Sequence, residues 1–321
     1  MMLPLKPEKL LALLGQMVLI RQFEMRAEAA YFQGKIGGFF HSYTGQEAIQ
    51  TALLDVIGLN HWYIATYRVH ALALLLGVTP KEIMAELFGR ANGNAKGRGG
   101  SMHLYTERLL GGFAIVGGQI PIAMGAAFSI KYQKKEEIAV CFLGEGAVAQ
   151  GAFHEALNLA SLWSLPCLII IENNRWGMGT PVEKAVCFKR IAEDVAPAYG
   201  ISGYSIDGMD LLACHAAFEK IYQEILHTRR PILVECMTER FKGHSISDPG
   251  LYRTREKLEE IKKRDPILLL KAYLIENGIL NEEKFALMNK ENHQIVIDAI
   301  AYAENSPWPD PATLEEGVYA E

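Results

Sequence analysis

Residues 138–174 read IAVCFLGEGAVAQGAFHEALNLASLWSLPCLIIIENN. The run from Ile138 to Leu143 is short, apolar throughout, and stops at the glycines of GEGAVAQG, residues 144–151. Beyond them Phe153, Ala156, Leu157 and Ala160 recur at helical spacing, and a second apolar run, CLIIIEN, follows at 167–173. Strand, glycine turn, helix and strand in that order predict two parallel neighbours joined by a helix. Strands that are apolar on both faces need helices on both faces, so the fold class is α/β with a mostly parallel sheet. In such sheets ligands gather beyond the carboxyl ends of the strands.

The glycine turn admits two readings. Gly144, Gly146 and Ala149 fit a dinucleotide-binding turn, with Glu172 at the end of the next strand as the ribose acid. Glycines are common at strand–helix turns for steric reasons alone, and that reading leaves Glu145 and Asn173–Asn174 without a role. A carboxylate beside a bound pyrophosphate is repelled unless a cation lies between them. Glu145 and Asn174 are 29 positions apart, one strand–helix–strand excursion, so both can face one ion. An acid and an amide suit Mg²⁺, which also takes phosphate oxygens from a ligand. On this reading the acid holds a metal that bridges a diphosphate to the protein.

Working outward, residues 1–33 read as an amphipathic first helix. Lys6 and Lys9 ahead of LLALLGQMVLI resemble the front of a signal peptide, but no small-residue cleavage site follows and the helical spacing continues. KIGGFFHSYTG is expected as a loop closed by a helix from Gln46, and HWYIATYRVHALALLLG as an extended stretch entering a helix. ANGNAKGRGGSMH and GGFAIVGG are glycine-rich loops, followed by a helix of small residues. YSIDG and ILVECM are further strands with DLLACHAAFEKIYQEILHTRR as the helix between them. The chain is therefore expected as one domain: helix 1–33, α/β core 34–240, an active-site loop 241–255, and a helical extension 256–321. Chemistry is expected in GEGAVAQG, ENNRWGMG and TERFKGHSISDPGLYR.

The chain has 321 residues, 50% hydrophobic and 21% charged, which is ample for a large core. Its net charge is −5 and it carries no basic block, so nucleic acid is not expected as a partner. The five cysteines form no CxxC pair and four sit in or beside apolar runs, the pattern of reduced core cysteine in a cytoplasmic protein. No apolar run reaches the roughly 18 uninterrupted residues of a membrane span.

Several blocks carry a family resemblance. GEGAVAQGAFHEALNLASLWSLPCLIIIENNRWGMGT is similar to the thiamine-diphosphate motif, an acid-bearing glycine turn with NN about thirty residues on. FHSYTGQEA, TYRVHA, AKGRGGSMH, IVGGQIP and GHSISDPGLYRTRE also resemble, in the same order, the α subunits of two-chain 2-oxo acid dehydrogenases, the pyruvate dehydrogenases in particular. The resemblance implies thiamine diphosphate and Mg²⁺ as cofactors. It implies that Tyr67 and Arg68 reach the diphosphate and that the backbone of Ala114 and Val116 holds the aminopyrimidine. Gly146 and Ala147 would offer amides to the diphosphate at a helix N-terminus, and Glu145, Asn174 and the Trp176 carbonyl would ligate the metal. His41 and His244 would stand by the reacting carbon as substrate binder and proton handler. Two departures stand out: the family normally has aspartate where this chain has Glu145, and GHSISDPGLYR is one residue shorter than the mammalian-type loop.

The activity so implied is decarboxylation of pyruvate and transfer of the acetyl unit to a lipoyl group on an acyltransferase component. The glutamate that activates the aminopyrimidine belongs to a separate β chain, so an assembly of two α and two β chains is expected. An acetoin dehydrogenase α subunit and a non-catalytic paralogue with impaired metal binding are the alternatives.

Overall fold

The computed structural model describes residues 3–319; Met1, Met2, Ala320 and Glu321, which the expected first helix and last extension include, lie outside the described residues. Eight strands occur among them. They are β1 Trp62–Thr66, β2 Leu109–Phe113, β3 Ala139–Gly144, β4 Cys167–Asn173, β5 Trp176–Gly177, β6 Thr180–Pro181, β7 Ser202–Asp207 and β8 Ile232–Met237. Six of them form one sheet in the order β2-β1-β3-β4-β8-β7, every pair parallel, while β5 and β6 make a short antiparallel hairpin. The expected α/β fold with a parallel sheet is what the chain adopts.

The period of two along the central strands divides the core. Val140, Phe142, Leu168, Ile170, Ile232 and Val234 pack to one side with the helices Pro7–Phe32, Glu47–Ile57 and Leu211–Thr228. Cys141, Leu143, Ile169, Ile171 and Leu233 pack to the other, with the helices Gln119–Tyr132 and Gly151–Leu162. The register Val140↔Leu168↔Ile232 and Phe142↔Ile170↔Val234 stacks like faces, so no strand can slip by one residue without reversing its whole apolar set. Cys141, Cys167, Cys214 and Cys236 are buried and unpaired, and Cys187 is exposed.

The first helix is tied to its neighbours through Arg21. Its guanidinium donates to both oxygens of Glu47, at 2.5 and 2.9 Å, and to Asp265 at 2.8 Å. Arg21 therefore joins Pro7–Phe32 to the amino end of Glu47–Ile57 and of Pro266–Glu276. No helix of the described residues is long and apolar enough to cross a membrane.

One strand differs from expectation. Leu109–Phe113 includes a stretch read above as loop, yet it is the edge strand of the sheet, paired with β1. Two glycines hide it from propensity. Gly112 is required by crowding, since a Cβ there would stand 2.2 Å from the Met102 carbonyl oxygen. Pairing and close approach, both tertiary, make this strand.

Candidate active site at the carboxyl ends of the strands

All six strands of the sheet run the same way, so the segments leaving β2, β1, β3, β4 and β8 emerge at one end. There the structure gathers Ala114–Val116, Tyr67–Arg68, Glu145–Ala149, Asn174–Met178 and the loop 241–255.

Gly144 pairs with Glu172 across β3 and β4, which sets the glycine turn beside the end of β4. Glu145 opens a short 3₁₀ turn, Glu145–Ala149, and the α-helix starts only at Gly151. Gly146 and Ala147, expected at a helix N-terminus, lie in this 3₁₀ turn just ahead of the α-helix. Glu145 is 2% exposed, accepts from the Asn174 backbone N–H at 3.2 Å, and has no ion-pair partner among the described residues. Burial pushes its pKa up, against the backbone amides that favour the charged form.

Asn174 is buried; its Nδ2 donates to Gln46 Oε1 at 3.2 Å and its Oδ1 accepts from the Trp176 N–H at 3.3 Å. Asn173 faces the opposite way, donating to Glu235 at 2.7 Å and accepting from the Arg175 N–H at 2.9 Å. Arg175 and Met178 take φ of +69° and +56°. Left-handed backbone at two non-glycine residues so close together is held against its local cost, a mark of turns shaped for a ligand.

Three rings meet beside this turn. His41 lies 4.3 Å from Tyr67 and 5.1 Å from His244, and Tyr67 lies 5.6 Å from His244, centroid to centroid. Burial, with the nearby Arg68 charge, pushes the His41 pKa down to about 3 and that of His244 down to about 4. Both imidazoles are neutral at pH 7. His41 Nδ1 is buried with no hydrogen-bond partner.

Arg68 is buried and donates to the Ser42 carbonyl at 2.6 Å and the His244 carbonyl at 2.5 Å. Its two terminal nitrogens therefore brace the loops of His41 and His244. A guanidinium has five N–H donors, so further ones remain. Ala114 and Val116 sit on the loop leaving β2, and that loop returns to the glycine turn: a Cβ on Gly117 would stand 3.1 Å from the Gln150 side chain.

Residues 15–312 match the family of the dehydrogenase E1 component.

The chain belongs to the dehydrogenase E1 component family.

It is 40% identical over 305 residues to the pyruvate dehydrogenase E1 component subunit alpha of Rickettsia conorii, covering 94% of this chain and 93% of that one. It is 38% identical over 302 residues to the subunit of the same name from Rhizobium meliloti, covering 93% and 86%. A chloroplastic alpha-3 subunit from Oryza sativa is 38% identical over 325 residues, covering 98% and 76%.

Members of the E1 family use thiamine diphosphate with a divalent metal ion, typically Mg²⁺. The donor set here fits that pair. Among the described residues no cluster of three or more His, Cys, Asp or Glu side chains exists to hold a metal unaided. The buried Glu145 carboxylate, the Asn174 amide oxygen and the Trp176 backbone carbonyl would make an incomplete oxygen shell of the kind Mg²⁺ completes with phosphate and water.

Sequence reasoning gave no role to Gln46, Arg240, Asp248 or Tyr252. Arg240 is 1% exposed and donates to the Met178 carbonyl at 2.6 Å, to Tyr252 Oη at 2.7 Å and toward His244 Nδ1 at 3.1 Å. Asp248 accepts from the His244 N–H at 2.6 Å, the Gly250 N–H at 2.8 Å and Tyr252 at 2.8 Å. An Asp-Pro-Gly turn signals the Gly250 contact, but nothing in the sequence signals Arg240.

Proposed function

We propose that this chain is the α subunit of a thiamine-diphosphate-dependent 2-oxo acid dehydrogenase, acting on pyruvate once a β subunit completes the site. The observation that carries the reading is Glu145, a carboxylate buried in a glycine turn without a basic partner and aligned with Asn174. Such a group needs a cation, and the turn's position at the sheet's carboxyl end suits a diphosphate bridged by that cation.

Glu145, Asn174 and the Trp176 carbonyl would hold Mg²⁺. Tyr67, Arg68 and the amides of Gly146 and Ala147 would receive the diphosphate, and the Ala114 and Val116 backbone the aminopyrimidine. When bound, thiamine diphosphate supplies the carbon nucleophile and the electron sink for decarboxylation. His41, neutral, keeps an unprotonated ring nitrogen to bind the substrate; His244 Nδ1 accepts from Arg240, so its Nε2 would carry the proton it handles at the reacting centre. Arg68 and Arg240 orient the His244 segment through its carbonyl and its ring. The acetyl unit then passes to a lipoyl group on an acyltransferase component.

The partnership is supported by an exposed apolar strip. Ile115 is 76% and Val116 46% exposed, and the two helices that follow the site turns, Gln119–Tyr132 and Gly151–Leu162, continue the strip. Between them runs a groove of about 370 Å³ lined by Pro121, Met124, Phe128, Leu159 and Trp163. A surface of this kind, starting at the aminopyrimidine loop, suits the β chain that must reach the cofactor. The assembly is two α and two β chains, and the unpaired cysteines favour a cytoplasmic setting.

The test is an assay of the chain alone and co-assembled with a β subunit, on pyruvate, acetoin and branched 2-oxo acids. Turnover of pyruvate by the pair and by neither chain alone is expected. Turnover by the isolated α chain would overturn the half-site reading, and preference for acetoin would move the substrate.

A further inference from the structure

Helix Glu47–Ile57 and its N-cap residue Gln46 make two contacts with the end of β4 and the residue after it. Gln50 Nε2 donates to Glu172 at 3.1 Å, and Gln46 Oε1 accepts from Asn174 Nδ2 at 3.2 Å. The two spacings match: four helical residues advance about 6 Å, and two extended residues about 6.6 Å. Gln46 and Gln50 share a helix face, and Glu172 and Asn174 share a face of the strand end. Asn173, between them, turns to Glu235 on the other side.

The segment carrying Gln46 is fixed from behind. The Gly45 N–H donates to Glu47 Oε2 at 3.0 Å, and the same carboxylate is clamped by Arg21. Gly45 has φ +103°, and a Cβ there would meet the Glu239 carbonyl oxygen at 2.4 Å. Gln46 itself is 1% exposed, and its Nε2 is buried with no partner.

An amide side chain has two ends, and only the oxygen can ligate a cation. With Gln46 Oε1 opposite Nδ2, Asn174 turns its nitrogen toward Gln46 and its oxygen away from it. The Oδ1 contact with the Trp176 N–H, at 3.3 Å, is the weaker of the two roles that oxygen can fill. We infer that Gln46 is a positioning residue for the metal site: by accepting from Asn174 Nδ2 it presents Asn174 Oδ1 to the cation. The inference rests on the reading of Glu145 and Asn174 as metal ligands.

The experiment is a Mn²⁺ titration, followed by electron paramagnetic resonance, of the assembled α and β chains with thiamine diphosphate. Gln46→Met keeps the volume and removes the acceptor, and metal affinity is expected to fall about 10–100-fold, as for other outer-shell partners of metal ligands. Gln46→Glu keeps an acceptor oxygen opposite Nδ2 and is expected to restore affinity to within about threefold of the parent, well short of that loss. In an Asn174→Asp background, whose two oxygens are equivalent, Gln46→Met is expected to change affinity by less than about threefold, a strong coupling between the two positions. Unchanged affinity in Gln46→Met, no rescue by Gln46→Glu, or an equal loss in both backgrounds would overturn the inference, the last by showing a general packing role. If Glu145→Ala also leaves Mn²⁺ binding intact, the metal reading itself falls; if Glu145→Ala abolishes it and Gln46→Met does nothing, only Gln46 loses its role.

Discussion

The turn at 144–151 and the loop at 241–255 flank the same site and are held by different physics. The turn is the direct continuation of β3 into a helix, so its place follows from sheet register and from a backbone that only a few residues can adopt. The loop follows β8 with no regular structure over 241–254. It is fixed instead by side chains: Asp248 gathers three donors, Arg240 reaches Met178 and Tyr252, and Arg253 donates to the Arg240 and Lys242 carbonyls at 2.6 and 2.5 Å. Backbone hydrogen bonds from Phe241 to Thr44 and from Ile246 to Phe40 then lay it on the His41 segment. A scaffold of backbone tolerates the loss of a neighbour, whereas a network of side chains fails together when one member goes.

The largest expected effect tests the turn. Glu145→Ala removes the one carboxylate of the proposed metal shell, so Mg²⁺-dependent thiamine diphosphate binding should disappear in calorimetry on the assembled chains. Binding at the parent's strength would take the turn out of the metal site and leave its buried acid without a purpose.

The next tests the loop. Asp248→Ala strips three hydrogen bonds at about 0.5–1.5 kcal/mol each, enough to lower the ordered population and the activity about 10–100-fold. Hydrogen exchange should quicken across 241–255 while protection of 144–151 stays as it was. Equal loosening of both segments would show one cooperative unit and not two.

A third separates the regions by the sign of their pH dependence in the cofactor-free chain. His41 and His244 have pKa values lowered by burial from 6.5 to about 3 and about 4. Between those values and 6.5 the unfolded chain binds more protons than the folded one. Stability is therefore lost as pH falls through that window, and replacing both histidines with glutamine should flatten the slope in urea titrations. Glu145 behaves in the opposite sense: its raised pKa means that the folded chain binds more protons, so stability falls as pH rises from 4.5. Glu145→Gln should then make the cofactor-free chain more stable at pH 8 while losing the metal, a trade between stability and function. A less stable Glu145→Gln chain at pH 8 would contradict that balance.

The smallest effect is expected from Glu145→Asp. It keeps the charge and shortens the reach by one methylene, to the residue the family normally carries. Metal affinity equal to or better than the parent's is expected in the same calorimetry. A loss as deep as that of Glu145→Ala would show that the turn has adapted its backbone to the longer acid.

How much of this was legible beforehand differs between the two regions for the same reason. β3 and β4 were readable as buried strands in IAVCFL and CLIIIEN, because a strand covered on both sides must be apolar at every position. Glu145 and Asn174 were readable as partners because one strand–helix–strand excursion brings strand ends together in any parallel sheet. His41, Tyr67 and His244 were singled out through the blocks that surround them, whereas their meeting within about 6 Å of one another is a property of three separate segments. Gln46 stood in a quoted block with no role, since an outer contact to Asn174 has no signature along the chain.

The amino-acid sequence by itself determined most of the elements, the parallel sheet and the end of it where chemistry belongs, because those depend on local periodicity and on glycine at a few turns. Tertiary structure decided which edge strand Leu109–Phe113 became, that Arg68 braces two carbonyls, and that Arg240 and Asp248 hold the loop. Each of those outcomes depends on a donor and an acceptor far apart in the chain and arriving at hydrogen-bond distance, and only the completed packing sets that distance.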